Sequence, residues 1–240
     1  MIQAFLWGAA GASALVIGAL IAYTANPGLK IIAITMALGT GLLIGSVSFE
    51  LIDDAVVHTD VASIGVFTLV GALVFTAGNW WLQRNGGADR KDSAGAQAKG
   101  SPQAIVLGSV LDGIPESFVL GLTVLQGGIS VALFAGVVLS NLPEGLSSSA
   151  GLRVAGWARR RVLTMWVIVV AVSAVSAAAG YALLDPDGGR GAALIEAFAA
   201  GALLAMVADT LLPEAFEVEG IYTGSLVVIG FAISLILSAI

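Results

Sequence analysis

Carboxylate, amide and hydroxyl side chains recur inside two apolar segments of the sequence. The first segment carries Asp112 and Glu116 within LDGIPES, and the second carries Ser140, Asn141 and Glu144 within LSNLPEG. Residues four apart share one face of a helix, which places Asp112 with Glu116. The same spacing places Ser140 with Glu144, and Asn141 lies on the adjacent stripe. Oxygen donors of these kinds suit a hard divalent cation, so the pattern predicts a metal site formed by Asp112, Glu116, Ser140, Asn141 and Glu144.

A proline precedes the glutamate in both segments. Pro115 and Pro143 have no N–H, so they free the carbonyls of Leu111 and Leu139 from helical hydrogen bonds and kink the helix. A carboxylate in the middle of a membrane costs about 2.5 to 3.5 kcal/mol on insertion scales, a cost that a bound cation would offset. The alternative is that the acids are protonated and hydrogen-bonded to neighbouring Ser and Asn side chains as contacts between helices.

The composition indicates that these segments are membrane helices. Apolar residues make up 58% of the 240 residues and charged residues 11%, and the mean hydropathy is +0.99. Soluble domains have about a quarter of charged residues. Eight apolar runs are long enough to cross a bilayer: 2–24, 28–52, 61–83, 103–125, 128–150, 161–184, 191–212 and 221–240. We therefore predict an all-α integral membrane protein in which residues 1–240 form a single domain of eight transmembrane helices.

The ten basic residues predict the orientation, because Lys and Arg concentrate in short cytoplasmic loops. With the N-terminus outside, only Arg190 lies on the outer side. The other nine fall in loops 1–2, 3–4 and 5–6; they are Lys30, Arg84, Arg90, Lys91, Lys99, Arg153, Arg159, Arg160 and Arg161. We expect a multi-pass protein of the cell (plasma or inner) membrane with both termini outside. Residues 85–102 are predicted to form a flexible cytoplasmic loop between helices 3 and 4, since they are polar and rich in Gly, Ala and Ser.

Two internal alignments suggest a repeat. Residues 111–117 align with 139–145, and residues 41–55 align more loosely with 201–215 at a constant offset of 160. Under the eight-helix topology each pair runs in opposite directions, which is typical of inverted repeats with a substrate site near the membrane midplane. Acidic residues near the ends of helices 2 and 7 either line a pathway to this site or reach the interface as helix-end residues. They are Glu50, Asp54, Asp209 and Glu214.

At these residues the chain resembles the ZIP (Zrt/Irt-like) family of divalent metal transporters, as a divergent prokaryotic-type member. The likeness is carried by SNLPEG, DGIPES, FELIDDA and DTLLPEA, and by the number of spans and the placement of loops. It implies a 3+2+3 arrangement of eight helices, a metal site between helices 4 and 5, and movement of the ion towards the cytoplasm. Glu116 and Glu144 match the two central glutamates of the family, and Asn141 matches its polar second-site ligand. The resemblance implies an entrance and exit lined by Glu50, Asp54, Asp209 and Glu214.

The chain departs from the family pattern in its ligand types. Asp112 and Gly113 stand where the family has His and Asn, and Ser140 stands where His or Gln is usual. Zinc favours nitrogen and sulfur donors, so an all-oxygen site is harder and weaker for zinc relative to manganese or iron. We expect the ion to be Zn²⁺, Fe²⁺, Mn²⁺ or a related cation. The missing amide at Gly113 bears on whether a second metal binds beside the first.

These observations together predict a transporter and not an enzyme, working by alternating access. The partners expected are divalent metal ions and the lipid bilayer, without nucleic acid, and a homodimer is compatible with the sequence. No cofactor is expected, since the nucleotide-binding pattern GxxxxGK[ST] is absent and gradients would drive transport. One alternative is a non-transporting, ZIP-like membrane metal sensor or scaffold. A proton-coupled carrier of organic solutes is another, although all basic residues lie at helix ends or in loops.

Overall fold

The structure, a computed structural model, describes residues 1–25, 28–87, 102–183 and 189–239. Within these ranges the regular structure is helical, without strands, which confirms the all-α prediction. The α-helices are α1 (Ile2–Thr24), α2 (Leu29–Ser46), α3 (Asp53–His58), α4 (Val61–Leu82), α5 (Pro102–Leu125), α6 (Val131–Val154), α7 (Arg159–Ala182), α8 (Arg190–Met206), α9 (Leu212–Glu219) and α10 (Thr223–Ser238). Of the loop predicted over 85–102, residues 88–101 lie outside the described residues.

Seven helical runs in the described part of the chain are long and apolar enough to cross a membrane, as a multi-pass membrane protein requires. The last run, Arg190–Ser238, has 49 residues and covers two of the predicted spans. A straight helix of that length would measure roughly 70 Å, more than twice the thickness of a hydrocarbon core. Gly220 interrupts it with φ 65° and ψ −126°, a conformation open to glycine. The count of eight and the 3+2+3 arrangement stay predictions.

Two long helical runs contain a π-helical turn at corresponding positions. The first turn, Val47–Ile52, joins α2 to α3, and the second, Val207–Leu211, joins α8 to α9. Their first residues are 160 apart, the offset that aligns the two segments in the sequence. Single π-helical turns inside α-helices are frequent at functional sites. Here the first turn contains Glu50 and the second contains Asp209.

Glycines allow several helix pairs to approach closely. A Cβ atom at Gly41 of α2 would overlap the backbone of α10, and one at Gly230 of α10 would overlap the backbone of α2. The pair formed by α4 and α8 has the same reciprocal contact, through Gly71 and Gly201. Small residues are the usual basis of helix association in membranes, where no hydrophobic effect draws helices together.

The main core lies where α2, α5, α6 and α8 meet. Its fully buried side chains include Leu43, Leu120, Leu133 and Leu203, one from each of these helices. A second buried cluster joins α1, α5, α6 and α7 around Trp166, whose indole N–H donates to Ser149 Oγ at 2.8 Å. Both clusters therefore include α5 and α6, the two helices that carry the proline–glutamate motifs.

Candidate metal centre

The glutamates of the two motifs are paired with serines across the interface between α5 and α6. Ser140 Oγ on α6 lies within hydrogen-bond distance of Glu116 Oε1 on α5 at 3.2 Å, and it shares its single proton with the carbonyl of Val137 in its own helix at 3.0 Å. Ser109 Oγ on α5 donates to Glu144 Oε1 on α6 at 3.1 Å. Each helix also contains its proline in an otherwise continuous helical stretch. The structure thus brings Glu116 and Ser140 together, and it adds Ser109, which the sequence did not single out.

All five predicted ligands are buried, with exposed fractions between 1% for Ser140 and 5% for Asn141. Carboxylates at such depth are stable only with a cation, a proton or hydrogen-bond donors beside them. The Asn141 amide nitrogen donates to the carbonyl of Gly11 on α1 at 3.4 Å, so this side chain also contacts a third helix. Asp112 is buried one turn before Glu116 on the same helix.

The arrangement limits how a metal ion could be held. Among the described residues, no group of three or more His, Asp or Glu side chains is placed to hold a metal ion. An ion between α5 and α6 would therefore require hydroxyl, amide, carbonyl or water oxygens beside the carboxylates, or a shift of the two helices. Hard divalent cations accept such mixed oxygen ligands. The ligand set stays a prediction.

Helix α7 contributes hydroxyl groups beside the proline–glutamate motif of α5. A Cβ atom at Gly113 would lie 3.0 Å from Ser173 Oγ of α7. One turn further on, Ser176 Oγ donates to the carbonyl of Ile114 at 3.0 Å. Gly113 stands where the family pattern has an asparagine. The space beside Gly113 is thus occupied by the Ser173 hydroxyl of α7.

Acidic residues from two helical runs meet near the end of α5. The Gln126 amide donates to Asp54 Oδ2 at 2.8 Å and to Glu196 Oε1 at 2.7 Å. Glu196 is only 3% exposed, and its second carboxylate oxygen has no hydrogen-bond partner within the described residues. Glu50, in the first π-helical turn, accepts a hydrogen bond from Ser238 Oγ of α10 at 3.1 Å. Gln126 was not predicted, because a glutamine beside a Gly-Gly turn carries no distinguishing signal in the sequence.

The other two predicted pathway acids accept hydrogen bonds from hydroxyl groups of neighbouring helices. Ser147 Oγ on α6 donates to Glu214 Oε1 on α9 at 3.1 Å. Thr76 Oγ1 on α4 donates to Asp209 Oδ2, in the second π-helical turn, at 3.4 Å. Asp209 is exposed whereas Glu214 is half-buried. Glu214 therefore contacts α6, the helix that carries Glu144. Asp209 contacts α4 instead.

Charged residues mark the two ends of α7. Beyond its C-terminal end, Arg190 lies 3.8 Å from Asp60, which caps α4. The Ser63 hydroxyl, the Ser63 backbone N–H and the Arg190 charge hold the pKa of Asp60 below its usual value. Before its N-terminal end, Arg153 donates to the carbonyl of Ala22 at 2.7 Å. The acidic loop after α3 and the loop before α7 thus lie at opposite ends of this helix.

Comparison with known proteins gives a match for most of this region. A protein-family model described as ZIP Zinc transporter matches residues 83–238, which is more than half of the 240-residue chain. The matched part contains α5 to α10 and all five buried candidate ligands. Among curated proteins, the comparison found no match.

Proposed function

Since the chain belongs to the ZIP zinc transporter family, we propose that it moves Zn²⁺, Fe²⁺, Mn²⁺ or a related divalent cation across its membrane towards the cytoplasm by alternating access. The family comprises divalent metal transporters, not enzymes, and the ion is the substrate. The observation that carries the proposal is the reciprocal pairing of Glu116 and Glu144 with serines across the buried interface of α5 and α6. Two desolvated carboxylates at one interface are costly without a cation and favourable with one.

The proposed binding site uses oxygen donors alone. Glu116 and Glu144 supply the negative charge, and hydroxyl and amide oxygens complete the ligands; the full set is Asp112, Glu116, Ser140, Asn141 and Glu144. Each glutamate accepts a hydrogen bond from a serine, so an arriving ion replaces a neutral donor at each carboxylate. The absence of nitrogen and sulfur ligands favours manganese and iron relative to zinc.

An inverted repeat supports alternating access. The two π-helical turns begin 160 residues apart. The close glycine contacts are separated by nearly the same distance in sequence: Gly41 and Gly201 are 160 residues apart, and Gly71 and Gly230 are 159 apart. Their carbonyl partners keep the same offsets: Leu38 with Phe198, and Thr68 with Val227. The interface of α2 with α10 and that of α8 with α4 then represent two copies of one packing arrangement. Such repeats allow a transporter to open to either side around one site.

Hydrogen-bonded acids would form the two ends of the pathway, with two acids in the first cluster and Glu214 with its serine in the second. Asp54 and Glu196 share the Gln126 amide at one end of α5, and Glu214 is bonded to Ser147 of α6. With both termini outside, the first cluster faces the exterior and collects cations, while the second faces the cytoplasm. The basic residues before α7 support this orientation, because Lys and Arg concentrate on the cytoplasmic side.

Uptake into proteoliposomes tests the proposal. The protein would be reconstituted and uptake of Zn²⁺, Fe²⁺, Mn²⁺ and Cd²⁺ measured, comparing the wild type with Glu116→Gln/Glu144→Gln. We expect the double variant to abolish uptake of every transported ion, because both charges at the site are removed while the side-chain volume is kept. Glu217→Gln is the matched control, since Glu217 is exposed on α9 and belongs to neither cluster. Its uptake should equal that of the wild type.

Two results would contradict the proposal. Uptake that survives in the double variant would place the substrate site elsewhere. Absence of uptake by folded wild-type protein, with metal binding retained, would favour the metal sensor or scaffold.

A further inference from the structure

A groove of about 830 Å³ opens between the N-terminal parts of α5 and α7. Small-molecule sites in proteins commonly have volumes of about 300 to 1,000 Å³. Most of its lining is apolar, and its polar members are two arginines and a threonine; the lining residues are Val106, Leu107, Trp157, Ala158, Arg160, Arg161, Thr164, Met165 and Ile168. The groove is thus large enough for part of an amphiphilic molecule.

One end of the groove is strongly basic. Arg160 and Arg161 are both exposed, and within the described residues neither forms an ion pair. The Arg161 guanidinium lies over the Trp157 ring at 4.0 Å, an arrangement that fixes one face of the guanidinium and leaves its N–H edges free for an anion. The first turn of α7 contains no acidic residue, and cations near a helix N-terminus do not stabilise the helix. The two exposed arginines therefore present positive charge to an anionic group at this end of the groove.

The other end of the groove is apolar and lies deeper along the helices. Ile168 is seven residues beyond Arg161 on α7, about 10 Å along the helix axis. Ile168 and Leu107 are 52% and 48% exposed, on a surface that a membrane-spanning protein presents to acyl chains. The order of features, charge at the helix end and apolar walls further in, matches the order of headgroup and acyl chain in a lipid.

We propose that this groove binds an anionic phospholipid, with its phosphate on Arg160 and Arg161 and an acyl chain along the apolar walls of α5 and α7. Charge complementarity selects the lipid class. A zwitterionic headgroup adds a cation next to the two arginines, whereas an anionic headgroup adds none. This inference does not rest on the proposed transport function.

Native mass spectrometry of the purified full chain tests the site by counting bound lipids during titration with phosphatidylglycerol or phosphatidylcholine. We expect Arg160→Gln/Arg161→Gln to weaken phosphatidylglycerol binding about tenfold or more, because charge-assisted hydrogen bonds to the phosphate are lost. The matched control is Arg84→Gln/Arg159→Gln, which removes the same charge from residues outside the groove lining. Arg84 also stacks on a tryptophan, Trp80, at 4.1 Å. This control should retain binding within about twofold of the wild type.

A second variant tests the apolar end and remains informative if the arginine variant fails to fold. Ile168→Trp fills the groove while both arginines stay, and it should weaken phosphatidylglycerol binding about as much as the arginine pair. Equal loss in the two arginine pairs would mean general attraction to negative lipid and would overturn the proposal. Equal affinity for phosphatidylcholine, undiminished binding to Ile168→Trp, or displacement of the lipid by equimolar inorganic phosphate would overturn it as well.

Discussion

Serine hydroxyl groups contact the glutamates of the two proline–glutamate motifs. Glu116 on α5 and Glu144 on α6 each accept a hydrogen bond from a serine of the opposite helix. A neutral donor stabilises a buried carboxylate without cancelling its charge. In the proposed site, the serines would thus orient the two carboxylates and leave their charge available to a cation.

Removing one hydroxyl should weaken metal uptake without abolishing it. We predict that Ser140→Ala raises the metal concentration for half-maximal uptake by about three- to tenfold, because Glu116 loses a fixed donor and its orientation. Ser13→Ala is the control, since Ser13 donates to the carbonyl of Ala10 in its own helix at 2.6 Å. Concentration-dependent uptake by both variants gives the comparison. Identical curves for the two would show that Ser140 does not position the carboxylate.

The sequence contained enough information to identify the buried acids but not all of their partners. Pro-Glu inside an apolar run is rare enough to mark Glu116 and Glu144, and both are buried. Ser109 and Gln126 were not predicted, because an isolated hydroxyl or amide is common in membrane helices and turns. Their roles depend on which helices become neighbours, and sequence spacing within one helix does not determine that.

Helix packing depends on the small residues that let backbones touch. Gly71 of α4 and Gly65 of the same helix differ in this respect although they look alike in the sequence. A Cβ atom at Gly71 would overlap the carbonyl of Phe198 on α8, whereas one at Gly65 would meet no atom within 4 Å. Only the first glycine is required by the interface between α4 and α8.

Leucine substitutions at these two glycines should distinguish the effect of helix packing on stability from the effect of helix propensity. We predict that Gly71→Leu lowers the free energy of unfolding by roughly 1 to 3 kcal/mol, because the side chain must push α8 away. Gly65→Leu should leave stability unchanged or slightly higher, since leucine favours the helix. Thermal unfolding of the purified protein in detergent measures both. A similar melting temperature for the two variants would refute the close contact between α4 and α8.

Helix positions could be predicted from the sequence more fully than helix interruptions. Each of the eight apolar runs is helical over most of its described length, because apolar length alone identifies such segments. The π-helical turns Val47–Ile52 and Val207–Leu211 were not predicted, since one additional residue per turn leaves no clear mark in a uniformly apolar sequence. The alignment at an offset of 160 nevertheless pointed to the segments that contain them.

Within the described residues, different charged groups lie at the two ends of α7. Asp60 and Arg190 lie at the end of α7 opposite to Arg153 and the three arginines that open this helix. This separation was predictable, because the loops between apolar runs alternate sides of the membrane and basic residues remain on the cytoplasmic one. How the last apolar run divides was harder to predict, since it depends on the backbone at Gly220.

Cysteine labelling tests the orientation and the number of spans together, because the chain contains no cysteine. Val57 is 77% exposed near the end of α3, Ala239 follows α10, and Ala158 precedes α7. With eight spans and outer termini, an impermeant maleimide should label Val57→Cys and Ala239→Cys in intact cells, and Ala158→Cys only after permeabilisation. Labelling of Ala239→Cys and Ala158→Cys from the same side would mean that Arg190–Ser238 crosses the membrane once. Labelling of Ala158→Cys in intact cells, with Val57→Cys and Ala239→Cys labelled only after permeabilisation, would invert the proposed direction of transport.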